Sequence, residues 1–515
     1  MEIYDSTLRD GAQMHKISFS VSDRIKIIKK LDEFGIDYIE AGNPGSNPKE
    51  REFFNKIEEL DLDYSKIVAF GSTRRTGIKA EEDDNLKALI QAKTDIVCIY
   101  GKAWDFQVKE ILKTTLQENL KMIESSIKFL IKNGKEVFFD TEHFFDGYKE
   151  NEEYALKVIN TAVNSGATRI ILCDTNGGTL TNEIYEIVKK VCKQFKKVKF
   201  GIHCHNDMEL AVANSLIAVD AGVVQIQGTI NGFGERCGNA NLCSIIPTLE
   251  LKKKKKCLKN SENLSMITEV SRYIDDVANH ISNPNNPYVG VLAFTHKAGA
   301  HINAINKNVK SFEHINPEKV GNSRKKLISE LAGKSAIYEI AKKYMPEISK
   351  TDKRLAQSLK QIKELEKNGY QFEDATSSVE LIIAEKLNVY KRFINIIYTK
   401  VIVEREYSIA IVKVKIKDKE RLSSAEGKGP VDAIDTALRK AIGKVYKSMI
   451  NIKLIDYKVR ALDSSKGCEA RVLVNIQTSN GKKQWNTVGV STDIVSATTE
   501  ALIDSIEYAK LCDLI

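Results

Sequence analysis

"EVFFD" at Glu136–Asp140, "NEEYALKVINTAVNSG" at Asn151–Gly166 and "RIILCD" at Arg169–Asp174 decide how the first half of the chain is read. A short apolar run, a helix-period segment closed by glycine and a second apolar run form one βαβ unit. The same alternation extends in both directions. Upstream stand "EIYD", "IDYIEA", "KIVAFG" and "DIVCIY", and downstream "VKFGIHCH" and "VVQIQGTI", with segments such as "VSDRIKIIKKLDEFG" between them. Eight such units in roughly 250 residues match the size of a (β/α)8 TIM barrel. A doubly wound open sheet is the alternative, but no GxGxxG turn succeeds any of the runs.

The texture changes after "NPNNP" at Asn283–Pro287. The next hundred or so residues are mainly of helical pattern, including "TDKRLAQSLKQIKELEKNG" from Thr351, and β-branched runs return near Lys391. Two groups of strands each lead into an alanine-rich helix. Ala433, Ala437, Leu438 and Ile442 correspond to Ala497, Ala501, Leu502 and Ile506 at one constant offset, which reads as a duplicated βββα unit. The expected organisation is therefore a barrel over 1–283, helical linker subdomains over 284–388 and a C-terminal α+β domain over 389–515.

Composition bounds the class of protein. With 515 residues, 42% hydrophobic and 29% charged, the chain has the profile of a soluble globular protein with more than one core. No apolar run approaches a membrane span, and "MEIYDSTLRDG" has neither the basic nor the apolar part of a secretory signal. Nine cysteines without a CxxC pair read as reduced thiols of a cytoplasmic protein. The net charge of +9 is modest. Its densest run, Lys252–Lys256, has no interleaved aromatics, so neither nucleic acid nor membrane is expected as a partner.

Chemistry in such a barrel sits at the C-terminal ends of the strands. Polar loops crowd there: "STLRDGAQ" after the first run, "GSTRR" after the third, "TEH" after the fifth, "DTNGG" after the sixth and "NGFGERCGNANL" after the eighth. The seventh ends in "HCHND". Residues i and i+2 of a strand point to one side, so His203 and His205 project together. With a carboxylate they can hold one divalent ion and leave positions open for a substrate. Asp10 is the expected third ligand, because closure of the barrel brings the first strand beside the last. The alternative is a hydrogen-bonded pair of core histidines.

Taken together, "DSTLRDGAQ", "HCHND" and "NGFGERCGNANL" resemble the signatures of the acyl-CoA Claisen-condensing synthases, the family of 2-isopropylmalate, homocitrate and citramalate synthases. The likeness spans nearly the whole chain. Related lyases carry a cysteine-containing Gly-rich loop instead of "NGFGERCGN", and the biotin acceptor "AMKM" of carboxyltransferases is missing. "PGSNPKE", "GKAWDFQV" and "TEHFFDGY" are most similar to the long-type members that join acetyl-CoA to pyruvate and hydrolyse the thioester to release (R)-citramalate and CoA. Two other readings stand beside this one: action on 2-oxoisovalerate, as in 2-isopropylmalate synthases, and an amino-acid-binding regulator without catalysis.

The resemblance implies a set of roles. Asp10, His203 and His205 match the family's ligands to a divalent metal ion (Mg, Mn or Zn), and Asn239 a further residue at or near it. Arg9 is the candidate for stabilising the enolate of acetyl-CoA, and Glu142 and His301 match the acid/base group. Thr175 would face the pyruvate carboxylate. Phe312 stands where the family usually has a tyrosine. The C-terminal duplicate resembles a dimeric amino-acid sensor, which implies a homodimer with isoleucine as effector. Gly427 and Gly429 would give close approach at a helix start, and Val490, Ile494 and Ala497 an apolar pocket.

Overall fold

Along Glu136–Glu142 alternate side chains take opposite sides, with Phe138 facing into the barrel and Val137 and Phe139 packing outward against the helices. The other apolar runs obey the same rule. The computed structural model describes residues 1–57, 60–296, 298–326, 334–373, 375–462, 470–481 and 483–514. Glu469 and Lys482, in the last strand group expected from sequence, lie outside these residues. The chain divides into two compact units, Met1–Phe294 with Ile315–Arg324, and Thr295–His314 with Lys325–Ile515.

The first unit is a closed parallel barrel of β1 (Glu2–Asp5), β2 (Tyr38–Gly42), β3 (Lys66–Ser72), β4 (Ile96–Lys102), β5 (Glu136–Glu142), β6 (Arg169–Asp174), β7 (Phe200–Cys204) and β8 (Gln225–Gly228) in sequential order. Each coincides with an apolar run read from the sequence. Closure pairs Glu2 with Gln225 and Asp5 with Gly228, bringing the loop after β1 beside the loops after β7 and β8. The surrounding helices start where side chains satisfy their first N–H groups. Ser20 and Asp23 form a capping box on Val21–Phe34, and Asn151 accepts from Tyr154 N ahead of Glu152–Asn164.

In the second unit, helices Lys334–Tyr344, Lys353–Lys367 and Thr376–Lys386 share a core that includes Ile337, Leu355, Ile362 and Ile383. Beyond them lie two antiparallel three-stranded sheets: β9–β11 (Ile394–Val403, Ser408–Ile416, Lys419–Gly427) and β12–β14 (Lys453–Ala461, Val472–Ser479, Gln484–Ser491). Each runs into one helix, Pro430–Gly443 or Ile494–Leu511. The duplication read from the offset is therefore a structural repeat. All eight offset-related residues are buried in one core, where trimming a large aliphatic side chain to Ala costs about 2–5 kcal/mol. No helix among the described residues is long and apolar enough to cross a membrane.

Candidate active site

The loop after β1 is tied down before it presents any functional group. Ser6 N donates to Gly228 O at 2.8 Å, Gly11 N to Ser6 O at 2.9 Å, and Ile230 N to Thr7 Oγ1 at 2.9 Å. This fastens Asp10 to the β8 edge. Ligand atoms of Asp10, His203 and His205 then lie within 4.8 Å of one another, all three residues buried. His203 Nε2 and His205 Nε2 stand 3.4 and 3.9 Å from Asp10 Oδ2, and 3.4 Å from each other.

Asn239 joins them. It forms an isolated bridge with His205, and its amide donates to Phe233 O at 3.0 Å. The loop that carries it wraps tightly: Gly234 and Gly238 have φ of 156° and 90°, and a Cβ on either would lie 2.2 or 2.1 Å from Asn239 Nδ2 or Gly232 O. Only glycine fits there.

The site is polar beyond its own needs. Asp10 Oδ1, Asn239 Oδ1 and His205 Nδ1 are buried without a hydrogen-bond partner. Each such atom costs about 1–3 kcal/mol until something binds it. Two orphaned oxygens beside two imidazole nitrogens make a donor set that fits a divalent cation. The electrostatics agree. Burial alone would raise the Asp10 carboxyl, but Arg9 and then the two histidines outweigh it and hold Asp10 far below the usual carboxylate range. Burial, reinforced by repulsion from His203, pushes His205 down to about 4, which keeps its imidazole neutral and able to ligate.

Arg9 is held on three sides. Its Nε bonds Glu40 Oε2, Nη1 lies 3.2 Å from Asp10 Oδ2, and the guanidinium sits 3.7 Å over the Phe70 ring. Glu40, fully buried, also accepts from Tyr4 and Ser6 hydroxyls, so its orientation is fixed. Arg9, Asp10, Phe70, His203 and His205 open on a cavity of about 490 Å³, lined also by Tyr100, Glu142, Thr175 and Arg236.

Glu142 ends β5 and pairs with Lys102 Nζ at 2.6 Å, its register partner on β4. Thr175 Oγ1 accepts from His143 N at 2.8 Å, which leaves its hydroxyl proton free to donate into the cavity. Arg236 clamps Asp207 through Nε and Nη2 at 2.7 and 2.8 Å and reaches Thr175 O at 2.9 Å, tying three of the strand-end loops together.

The remaining expected residues belong to the second unit. The cavity's lining comes wholly from the first unit, whereas His301 belongs to the second. There His301 stacks on Phe312 with centroids 3.9 Å apart. Of the residues expected to sense an amino acid, Gly427 does permit a close approach, since a Cβ would lie 2.3 Å from Ala433 N. Gly429 caps the helix with an extended φ of −166°, and a Cβ there would meet nothing. Val490, Ile494 and Ala497 have three different surroundings. Ala497 is sealed in the domain core, Ile494 at the first position of the same helix is half exposed, and Val490 packs on the cluster around Ile337.

Sequence reasoning missed Glu40, Asp140 and Gln227. Each is a polar residue at an inward position of a buried strand, and that breach of the apolar run is the signal that could have found them.

Residues 1–274 match the HMGL-like family, 288–370 the homocitrate synthase post-HMGL domain-like family and 374–510 the LeuA allosteric (dimerisation) domain. The chain belongs to the HMGL-like family, in the group of condensing synthases that carries these two further domains. An (R)-citramalate synthase of Geobacter sulfurreducens is 48% identical, covering 99% of this chain and 97% of that one. One from Sulfolobus acidocaldarius is 46% identical, covering 99% and 96%. A 2-isopropylmalate synthase of Methanocaldococcus jannaschii is more distant, at 32% over 98% and 93%.

Proposed function

We propose that the protein is a cytoplasmic acyltransferase that condenses acetyl-CoA with pyruvate and hydrolyses the thioester, giving (R)-citramalate and CoA. The observation that carries this is the convergence of Asp10, His203 and His205 at a cavity that Arg9 also faces. The identity to (R)-citramalate synthases, higher than to 2-isopropylmalate synthases, supports pyruvate as the acceptor. A divalent ion held by Asp10, His203, His205 and Asn239 would supply Lewis-acid polarisation of the keto group.

This chain's residues do the rest. Arg9 offers a fixed positive charge to the oxygen of the developing enolate, pre-aimed by Glu40 and Phe70 so that little reorganisation is needed. Thr175 donates to the acceptor's carboxylate. Glu142, paired with Lys102, is the barrel's own group for accepting a proton. His301 is proposed as a second acid/base group. The test is thiol release from acetyl-CoA with a panel of 2-oxo acids and chiral analysis of the product. Pyruvate should be preferred and (R)-citramalate formed; preference for 2-oxoisovalerate would overturn the assignment.

We further infer that the second unit dimerises and senses isoleucine, in keeping with its LeuA-type domain. A groove of about 540 Å³ between the two repeats has the chemistry for an amino acid. Val431, Ile452 and Leu454 offer apolar wall, and Asp435, held by Arg439 through Oδ2, keeps a buried, unpartnered Oδ1 for an ammonium group. Asp435→Ala should abolish inhibition by isoleucine while leaving kcat unchanged. Undiminished inhibition would place the effector elsewhere.

A further inference from the structure

His203 and His205 are held differently. His205 Nδ1 is buried with no hydrogen-bond partner, so nothing among the described residues decides which of its nitrogens carries the proton. His203 Nδ1 lies 3.0 Å from Gln227 Oε1, on the neighbouring strand and directly opposite in register. The other end of that amide donates from Nε2 to Asp140 Oδ1 at 3.4 Å, and Asp140 Oδ1 also accepts from the Cys98 thiol at 3.1 Å. All four side chains are buried, three of them on inward positions of β8, β5 and β4 directly beneath the site.

An amide is symmetric in shape but not in chemistry. Were Gln227 turned over, its oxygen would face the Asp140 carboxylate and its NH2 would face His203, setting two buried acceptors against each other. Asp140 therefore fixes which end of Gln227 points up. With the oxygen up, His203 carries a proton on Nδ1 and presents Nε2 to Asp10 and His205, the nitrogen left to take a metal ion.

We propose that Gln227, oriented by Asp140, is the positioning residue for the metal site: it selects the ligating tautomer of His203 and makes that histidine the rigid member of the pair. Metal-ligating histidines commonly donate their second N–H directly to a carboxylate or carbonyl. Here an amide is interposed, so that the negative charge stays one side chain away from the ligand. The proposal rests on the metal reading given above, and its test separates the two.

The protein is stripped with chelator, and Mn²⁺ or Zn²⁺ alone is titrated calorimetrically into the full-length wild type, Gln227→Leu, Gln227→Glu, Asp140→Asn and Asp10→Ala. Gln227→Leu should bind about 10–100-fold more weakly, with kcat recovering at saturating metal. Gln227→Glu, which keeps an acceptor on Nδ1 and can hold the former amide contact by sharing one proton with Asp140, should stay within a few fold of wild type. Asp140→Asn, which keeps size but lets the amide turn, should lose several-fold, and it decides the matter if Gln227→Leu does not fold. Wild-type affinity in Asp140→Asn and in a folded Gln227→Leu would overturn the proposal. Unchanged binding by Asp10→Ala would instead overturn the metal reading itself.

Discussion

The two ends of the barrel are built from the same strands and treat polar groups in opposite ways. At the N-terminal end, Arg169 on β6 grips Glu2 on β1 with Nε and Nη2 at 3.0 and 2.7 Å, and Gln225 Nε2 adds a third bond to Glu2 at 3.2 Å. At the C-terminal end, Asp10 and Asn239 keep buried oxygens unpaired, and two imidazoles crowd one carboxylate. One end satisfies its charges with each other; the other holds them in reserve for a ligand. Charge pairing at the N-terminal end, where only the neutral Gln225 Oε1 of this group is left over, thus contrasts with unpaired ligand atoms at the other.

The sharpest way to break that contrast is at the reserved end. Asp10→Ala or His203→Ala should lower turnover by more than about 100-fold, beyond what loss of an outer partner costs, with folding retained. Near-normal steady-state turnover at low metal would mean that the rim is merely a polar core. Next in size is Arg9→Lys, which keeps charge but loses the planar contact with Phe70 and the fork to Glu40 and Asp10. Here kcat should fall about 100-fold while KM changes little.

At the other end the effect should appear in stability. Arg169→Ala should cost about 1.5–3 kcal/mol in chemical denaturation without altering kcat, because it strips a charge-assisted pair. Burial works to raise Glu2, but Arg169 outweighs it and holds Glu2 below its usual value. A depressed carboxyl contributes stability that is complete above its unfolded pKa of about 4.3 and is lost as pH falls through the folded value. The difference in melting temperature between wild type and Arg169→Ala should therefore shrink on acidification below about pH 4.3. A constant difference would show that Arg169 acts by packing alone. The smallest effect is expected for Phe312→Tyr. The ring lies on His301 and is 47% exposed, so a hydroxyl can reach water, and turnover should stay within about twofold of wild type. A large loss would place Phe312 in an apolar wall.

Much of this was legible in the chain itself. The eight apolar runs became the eight strands, because period-two burial is written locally. The pairing of His203 with His205 comes from the same period, and Asp10 from closure of the barrel. Glu40, Asp140 and Gln227 were harder. Their polarity is visible inside "IDYIEA", "EVFFD" and "VVQIQGTI", but what each one holds depends on which strands become neighbours across the interior. The surroundings of Val490, Ile494 and Ala497 were not legible, because Ile494 at the helix start is exposed while Ala497, one turn on, is buried in the repeat's core.

Arg9 and Asp10 are consecutive residues on one pinned turn. The Cα atoms that bear the charge proposed for the enolate and the carboxylate proposed for the ion are thus one peptide unit, about 3.8 Å, apart. That gauge is covalent. Warming or loosening of the barrel can move the two together against the rest of the site, yet it cannot alter the spacing of their backbones.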